Sequence, residues 1–150
     1  MRVSARADYA VRAALELAAV EGLGPVKRET VSEAQQIPLN FLENILLDLK
    51  RAGLVQSQRG QEGGYWLARP ASEVSVADVV RAVDGPLVNV RGARPEAVEY
   101  AGNAEHLREV WLAARASLRT VLETTSLSDL VKGRLPAAVR RLAESARAPA

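Results

Sequence analysis

The sequence predicts a mainly α-helical fold with one small β-hairpin. Apolar residues recur at helical spacing in three successive segments between Ser4 and Gly53. The run "RGQEGGYWLARP", Arg59 to Pro70, then breaks that spacing with turn residues and two adjacent aromatics. A long amphipathic stretch from Ala104 to Glu123 restores it.

In the first segment Ser4 is placed to cap a helix. Ala7, Ala10, Val11, Ala14, Leu17 and Ala18 form its inner face, and Gly22 stops it. So much alanine lets another helix approach closely. "GLGP" at 22–25 is a turn, and "VKRETVSEAQQI" makes a short second helix with Val31 and Ala34 facing inward. It must end before Pro38, because the residue preceding a proline is pushed out of helical geometry. "PLNFLENILLDLKRAGL" opens the third helix, with Leu42, Ile45, Leu46 and Leu49 on one face and Gly53 just past its end. Residues 54–59 begin a strand, "GQEGG" turns the chain, and "YWLAR" returns it, with Tyr65 and Leu67 on one side and Trp66 on the other.

After the hairpin, Ser75 is placed to cap a fourth helix with Val76, Val79, Val80 and Val83 inward, stopped at Gly85-Pro86. Residues 85–103 read as irregular. The long helix carries Leu107, Val110, Trp111, Ala114, Leu118, Val121 and Leu122 in one stripe. A short helix capped by Ser126 ends at Gly133, and residues 134–150 form a tail whose end is expected to be disordered. The organisation expected is therefore 1–84, 85–103, 104–133 and 134–150.

Composition excludes much. The 150 residues suit one globular domain, 48% hydrophobic and 25% charged. No segment has the unbroken apolar run of a membrane span, so a cytoplasmic location is expected, with no membrane partner. The chain has no cysteine, which removes disulfides, cysteine-type zinc sites, thiolate-held iron–sulfur clusters and thiol chemistry. His106 is the sole histidine and stands without a Ser or Asp constellation; no phosphate-cradling glycine motif is present. No enzyme activity, no metal and no cofactor are expected. A net charge of +2 leaves any nucleic-acid footprint to local patches.

Three helices followed by a hairpin is the order of a winged helix-turn-helix. In that arrangement the third helix can enter a major groove and the hairpin forms a wing beside it. By pattern alone, a winged protein-docking module without DNA binding stays open.

The detailed residues go further. "MRVSARADYAVRAALELA", "IPLNFLENILLDLKRAGLVQSQRGQEGGYWLARP", "SVADVVRAVDGP" and "LREVWLAARASLRTVLETTSLSDLV" resemble the Rrf2 family of bacterial winged-helix regulators, over nearly the whole chain to about Gly133. The resemblance implies a homodimer whose long helices cross and whose two winged domains read a palindromic operator in double-stranded DNA. Many relatives hold an iron–sulfur cluster on three cysteines in the loop after "VDGP". Here that loop is "LVNVRGARPEAVEYAGNAEH", without any, so the cluster is not carried over. The chain is more similar to a cysteine-poor branch that senses a small molecule or a partner protein, and a repressor is expected.

The candidate DNA-binding residues follow. Asn40, Phe41, Glu43 and Asn44 open the third helix, where amides, carboxylates and aromatics can meet base edges. Each has a structural alternative: Asn40 as a cap, Phe41 as packing, Glu43 as a solvated side chain. Lys50 and Arg51 end that helix, suited to phosphate but also to the helix dipole. Arg59 at the wing tip is the principal candidate, with Gly60, Gly63 and Gly64 letting the backbone turn tightly and Tyr65 at the wing base. Arg2 and Ser4 can lie over the phosphate backbone. Arg91 and Arg94 are the effector candidates in the loop, and the stripe from Leu107 to Leu122 is the expected dimer interface.

Overall fold

The computed structural model describes residues 2–149. The order is α1 (Ala5–Ala19), α2 (Arg28–Gln35), α3 (Leu39–Arg51), β1 (Val55–Gln58), β2 (Gly64–Leu67), α4 (Val76–Asp84), α5 (Leu107–Leu122), α6 (Leu127–Lys132) and α7 (Ala137–Arg147). The mainly helical fold with one hairpin is as the sequence predicts.

Local chemistry sets the helix ends. Ser4 accepts from the Ala7 N–H at 2.9 Å and starts α1. Ser75 and Ser126 each form a reciprocal capping box, with Asp78 and Asp129 respectively. At the end of α3 the Leu54 N–H donates to the Leu49 carbonyl and the Gly53 N–H to the Lys50 carbonyl, both at 3.0 Å. That pair of bonds is a Schellman ending, and it turns the chain directly into β1.

The core is built around α1. α2, α3, α4 and α6 all pack on it, and the buried face of α1 is Ala7, Ala10, Ala13, Ala14, Leu17 and Ala18. Small side chains bring the neighbouring helices close, and the volume is filled from α3 by Leu42, Ile45, Leu46 and Leu49, each fully buried. Each such side chain contributes about 1.5–3 kcal/mol relative to an exposed one. Three inward assignments are corrected. Ala34 is exposed, so α2 buries Val31 alone, because eight residues give it only one turn of contact. Val76 and Val80 are half-buried while Ala77 and Val79 are buried, since the first two face a groove shared with α5.

The strands pair antiparallel, Val55 with Leu67 through Gln58 with Gly64. Tyr65 and Leu67 pack on the core. Trp66 lies on the other face, half-buried, and its indole N–H donates to Oε1 of its cross-strand neighbour Gln56 at 3.1 Å. The wing is not a free flap. Val26 and Tyr65 exchange two backbone hydrogen bonds, each 2.8 Å, which tie β2 to the entrance of α2.

The second half is organised differently. α6 returns to the core through buried Leu127, and the segment before it pairs with the entrance of α4: Val76 N–H to Thr125 carbonyl and Leu127 N–H to Val74 carbonyl, both 2.9 Å. α5 has no buried residue. It begins at Leu107, not Ala104, because Gly102–Ala104 is a separate 3-10 turn. The loop expected to be irregular contains a second such turn at Pro95–Ala97, with Pro95 buried. The tail carries a helix for which the sequence reading had no expectation: α7 occupies Ala137–Arg147 with no residue buried. The expected disordered end falls beyond that helix, and Ala150 lies outside the described residues.

Candidate nucleic-acid interface

The exposed surface of α3 and the inner surface of the hairpin enclose a cleft of about 600 Å³. From α3 it is lined by Glu43, Leu47 and Lys50, one row at i, i+4 and i+7. From the wing come Arg59, Gly60, Gly63, Gly64 and Tyr65. The structure thus brings together seven of the residues singled out in the sequence. Asn40 lies on the same row of α3 and is exposed, outside the cleft lining.

Phe41, Asn44, Asp48 and Arg51 form the adjacent row, turned toward α1. Phe41 is 51% exposed, with its ring centroid 6.4 Å from that of Tyr9. It is therefore both partly packed and available. The Asn44 amide donates to the Asn40 carbonyl at 3.2 Å. Asp48 is paired with Arg6 and lies 4.0 Å from Arg51, whose side chain is otherwise exposed.

Ser4 and Arg2 do not reach the cleft. The Ser4 hydroxyl caps α1 and donates to Asp84 Oδ2 at 2.5 Å, while Arg2 lines the groove between α1, α4 and α5.

Two cations of the cleft escaped the sequence reading. Lys27 donates from Nζ to the Gly60 carbonyl at 3.0 Å, joining the wing tip to the start of α2. Arg28 pairs with Glu43 across from α2 and with Glu29 at 3.1 Å. The available signal was two adjacent basic residues, Lys27 and Arg28, at a helix start. No side-chain hydrogen bond caps α2, and Lys27, Arg28 and Glu29 at its start line the same cleft. The Glu29 carboxyl is held below the usual carboxylate range by its own backbone N–H and then by Arg28.

Lys50 donates to Ser57 Oγ at 2.9 Å, bridging α3 to the wing. At the wing base a side chain on Gly64 would put its Cβ 2.5 Å from the Val26 carbonyl oxygen, at a φ of +150°. Gly63 is equally constrained by the backbone at Gln58 and Arg59. These two positions require glycine for the close approach of backbone strands. The cleft as built offers four cations beside the exposed row of α3.

The second candidate region is the loop. Arg94 lines a cleft with Arg81, Arg115 and Arg119; Arg91 does not, and its backbone has a φ of +51°. The two effector candidates are therefore not brought together. On α5, Val110 is 56% exposed and Leu118 and Leu122 line the groove toward α1 and α4. The Trp111 indole N–H donates to the Tyr100 hydroxyl at 3.0 Å.

Known proteins share this architecture. The profile of the Rrf2 family, described as "Iron-dependent Transcriptional regulator", matches residues 3–133. Rv1287 of Mycobacterium tuberculosis, named as an HTH-type transcriptional regulator, is 49% identical over 148 residues, 99% of this chain and 92% of its own. The HTH-type transcriptional regulator CymR of Bacillus subtilis is 32% identical over 130 residues, 87% of this chain and 89% of its own. Among solved structures, CymR, the global cysteine regulator of B. subtilis, superposes with a TM-score of 0.74 at 29% identity, covering 88% of this chain and 97% of that one. IscR of T. potens gives 0.71 at 29% identity, covering 100% and 93%.

The iron in the family description finds no matching donors here. The chain has no cysteine to hold a cluster. His106 is 88% exposed beside Glu105, and among the described residues no three His, Cys, Asp or Glu side chains converge. Nor is any helix among those residues long and apolar enough to cross a membrane. The winged fold, the cation-lined face of α3 and the matched length lead to one conclusion: the chain belongs to the Rrf2 family of DNA-binding transcription regulators, and it is not an enzyme.

Proposed function

We propose that the protein is a homodimeric, sequence-specific regulator, acting as a repressor without an iron–sulfur cluster. α3 enters the major groove with Asn40, Phe41, Glu43 and Asn44 at the base edges. Lys27, Lys50, Arg51 and the amides opening α2 engage phosphates, and Arg59 on the wing reaches the flanking backbone or a narrow minor groove. Arg2 serves as a further phosphate contact. Ser4 contributes through backbone amides at the start of α1, because its hydroxyl is committed to Ala7 and Asp84.

The observation that carries this reading is the cleft between α3 and the wing, which gathers Lys27 and Arg28 from the start of α2, Lys50 from α3 and Arg59 from the wing. In the free protein Arg28 neutralises Glu43. A base donor that takes over Glu43 releases Arg28 to a phosphate, which links base choice to backbone binding.

Dimerisation is supported by α5, a sixteen-residue amphipathic helix with no buried side chain. Leu107, Val110, Trp111, Ala114, Leu118, Val121 and Leu122 lie on one side of it, the pattern of a helix that lacks its second wall. Two winged domains related by a two-fold axis read half-sites about one helical turn apart, near 10 base pairs or a multiple. The effector, a small molecule or a partner protein, acts on the loop at 85–103, the cytoplasm being the compartment of all these partners.

Capture of sheared genomic DNA on the purified full chain at near-physiological salt, followed by sequencing, tests this. The expected result is one enriched palindrome. Enrichment of single half-sites would overturn the dimer, and absence of enrichment with a salt-independent response to DNA would favour a protein-docking role for the wing.

A further inference from the structure

The loop has a built feature that gives its effector a chemistry. Between the end of α4, the loop and α5 lies a cleft of about 410 Å³ onto which Arg81, Arg94, Arg115 and Arg119 all open. Two carboxylates attend these four guanidiniums. Arg115 pairs with Glu96 inside the cleft; Arg81 pairs with Glu123 at its rim, and Arg119 lies 3.7 Å from the same Glu123. Arg94 has no ion-pair partner among the described residues.

A network that served stability alone would balance its charges, because like charges in a shared, partly desolvated site repel. This one is left with two positive charges in excess. Arg115 and Arg81 are held by close ion pairs, while Arg94 and Arg119 are exposed and open to a ligand. The Arg115 side chain is only 17% exposed, and Arg94 sits at the start of the 3-10 turn anchored by buried Pro95. The Glu96 carboxyl is held down to about 2, first by the hydrogen bond from Arg115, with Arg94 adding its charge. An internal anion thus already occupies one corner.

We propose that this cleft binds a small dianion, a short dicarboxylate or a phosphomonoester, through Arg94 and Arg119, with its carbon body against Leu87 and Val88. Planar guanidinium forks bind carboxylate and phosphate oxygens in pairs, which suits both acids. The volume suits a compact metabolite. Occupancy joins Arg94 on the loop to Arg119 on α5, beside Arg81 on α4, the helix that packs along α1. The proposal rests on the reading that the loop receives the effector.

Calorimetric titration of the full chain without DNA tests it, using succinate, citrate and inorganic phosphate as probes. Saturable binding of at least one is expected, with a Kd of roughly millimolar or tighter. Arg94→Ala and Arg119→Ala should each weaken it by about tenfold or more, since each removes a charge-assisted contact. Arg91→Ala, outside the cleft, should leave it unchanged, and circular dichroism should show all variants folded. Preference for succinate or citrate assigns a carboxylate ligand; preference for phosphate assigns a phosphomonoester.

No binding of any probe at about 10 mM, or binding indifferent to Arg94 and Arg119, overturns the proposal. So does loss of duplex-DNA binding in these variants with no binding of small acids, which would give the arginines to the DNA backbone. Because the titration contains no DNA, a failed genomic capture and an empty cleft are separate results.

Discussion

The two halves of the chain handle apolar surface in opposite ways. From α1 to α4 the leucines, isoleucine and valines close on one another, and α3 alone contributes four fully buried side chains. In α5, a longer helix with an equally clear stripe, none is buried. Equal amphipathicity therefore does not mean equal closure. The winged half closes a core that Leu127 of α6 completes, whereas the apolar stripe of α5 is left only half-covered within the chain.

The sharpest way to break that contrast is to remove one leucine from each half. Leu46→Ala opens a cavity in a site with no exposure and should cost about 2–5 kcal/mol, read by urea denaturation at any protein concentration. Leu118→Glu should leave the winged half folded by circular dichroism. It should raise the dimer dissociation constant by roughly a hundredfold or more in sedimentation equilibrium, because it places an unpaired carboxylate in an apolar contact. Were Leu118→Glu to unfold the monomer instead, α5 would belong to the core after all.

Smaller effects sharpen the polar side. Arg59→Ala should weaken operator binding by about tenfold and reduce the slope of log affinity against log salt by about one, measured by fluorescence anisotropy. Glu43→Ala should change base preference with a smaller loss of overall affinity, because Arg28 is then free for phosphate; an unchanged preference would remove Glu43 from the reading face.

The smallest effect is a titration. Glu96 has its folded value lowered from 4.5 to about 2, so its contribution to stability is fully present above about pH 4.5 and is lost as pH falls toward 2. Carboxyl NMR should find Glu96 titrating well below the ordinary glutamate range, and Arg115→Ala should raise it toward that range, the backbone N–H and Arg94 still holding it down in part.

What the sequence reveals here follows the range of the interactions. Caps and stops are local, so Ser4, Ser75, Ser126, Gly53 and Gly133 stand at helix boundaries where their residue types imply. The buried row of α3 is legible for the same reason: one periodicity, one face. Lys27 is different. Its place in the interface depends on the bridge between Val26 and Tyr65, nearly forty residues apart, and no local pattern encodes that. Ser4 likewise finds Asp84 across the molecule. α7 was missed because alanine and arginine in a Pro-punctuated tail give helix propensity without a core to face. Ala34 shows the converse, an apolar residue at helical spacing that the short α2 leaves in solvent.

The double hydrogen bond between Val26 and Tyr65, with glycine enforced at 63 and 64, makes the hairpin a part of unequal mutability. Its base is locked to α2 and admits no side chain. Its tip is held from outside only at the Gly60 carbonyl, by Lys27, and leaves Gln61 and Glu62 exposed. A lineage carrying this fold can lengthen, shorten or recharge the tip and so shift what lies beside the reading helix, while the angle at which the hairpin leaves the domain stays fixed. Target preference can drift at the wing without passing through an unfolded ancestor.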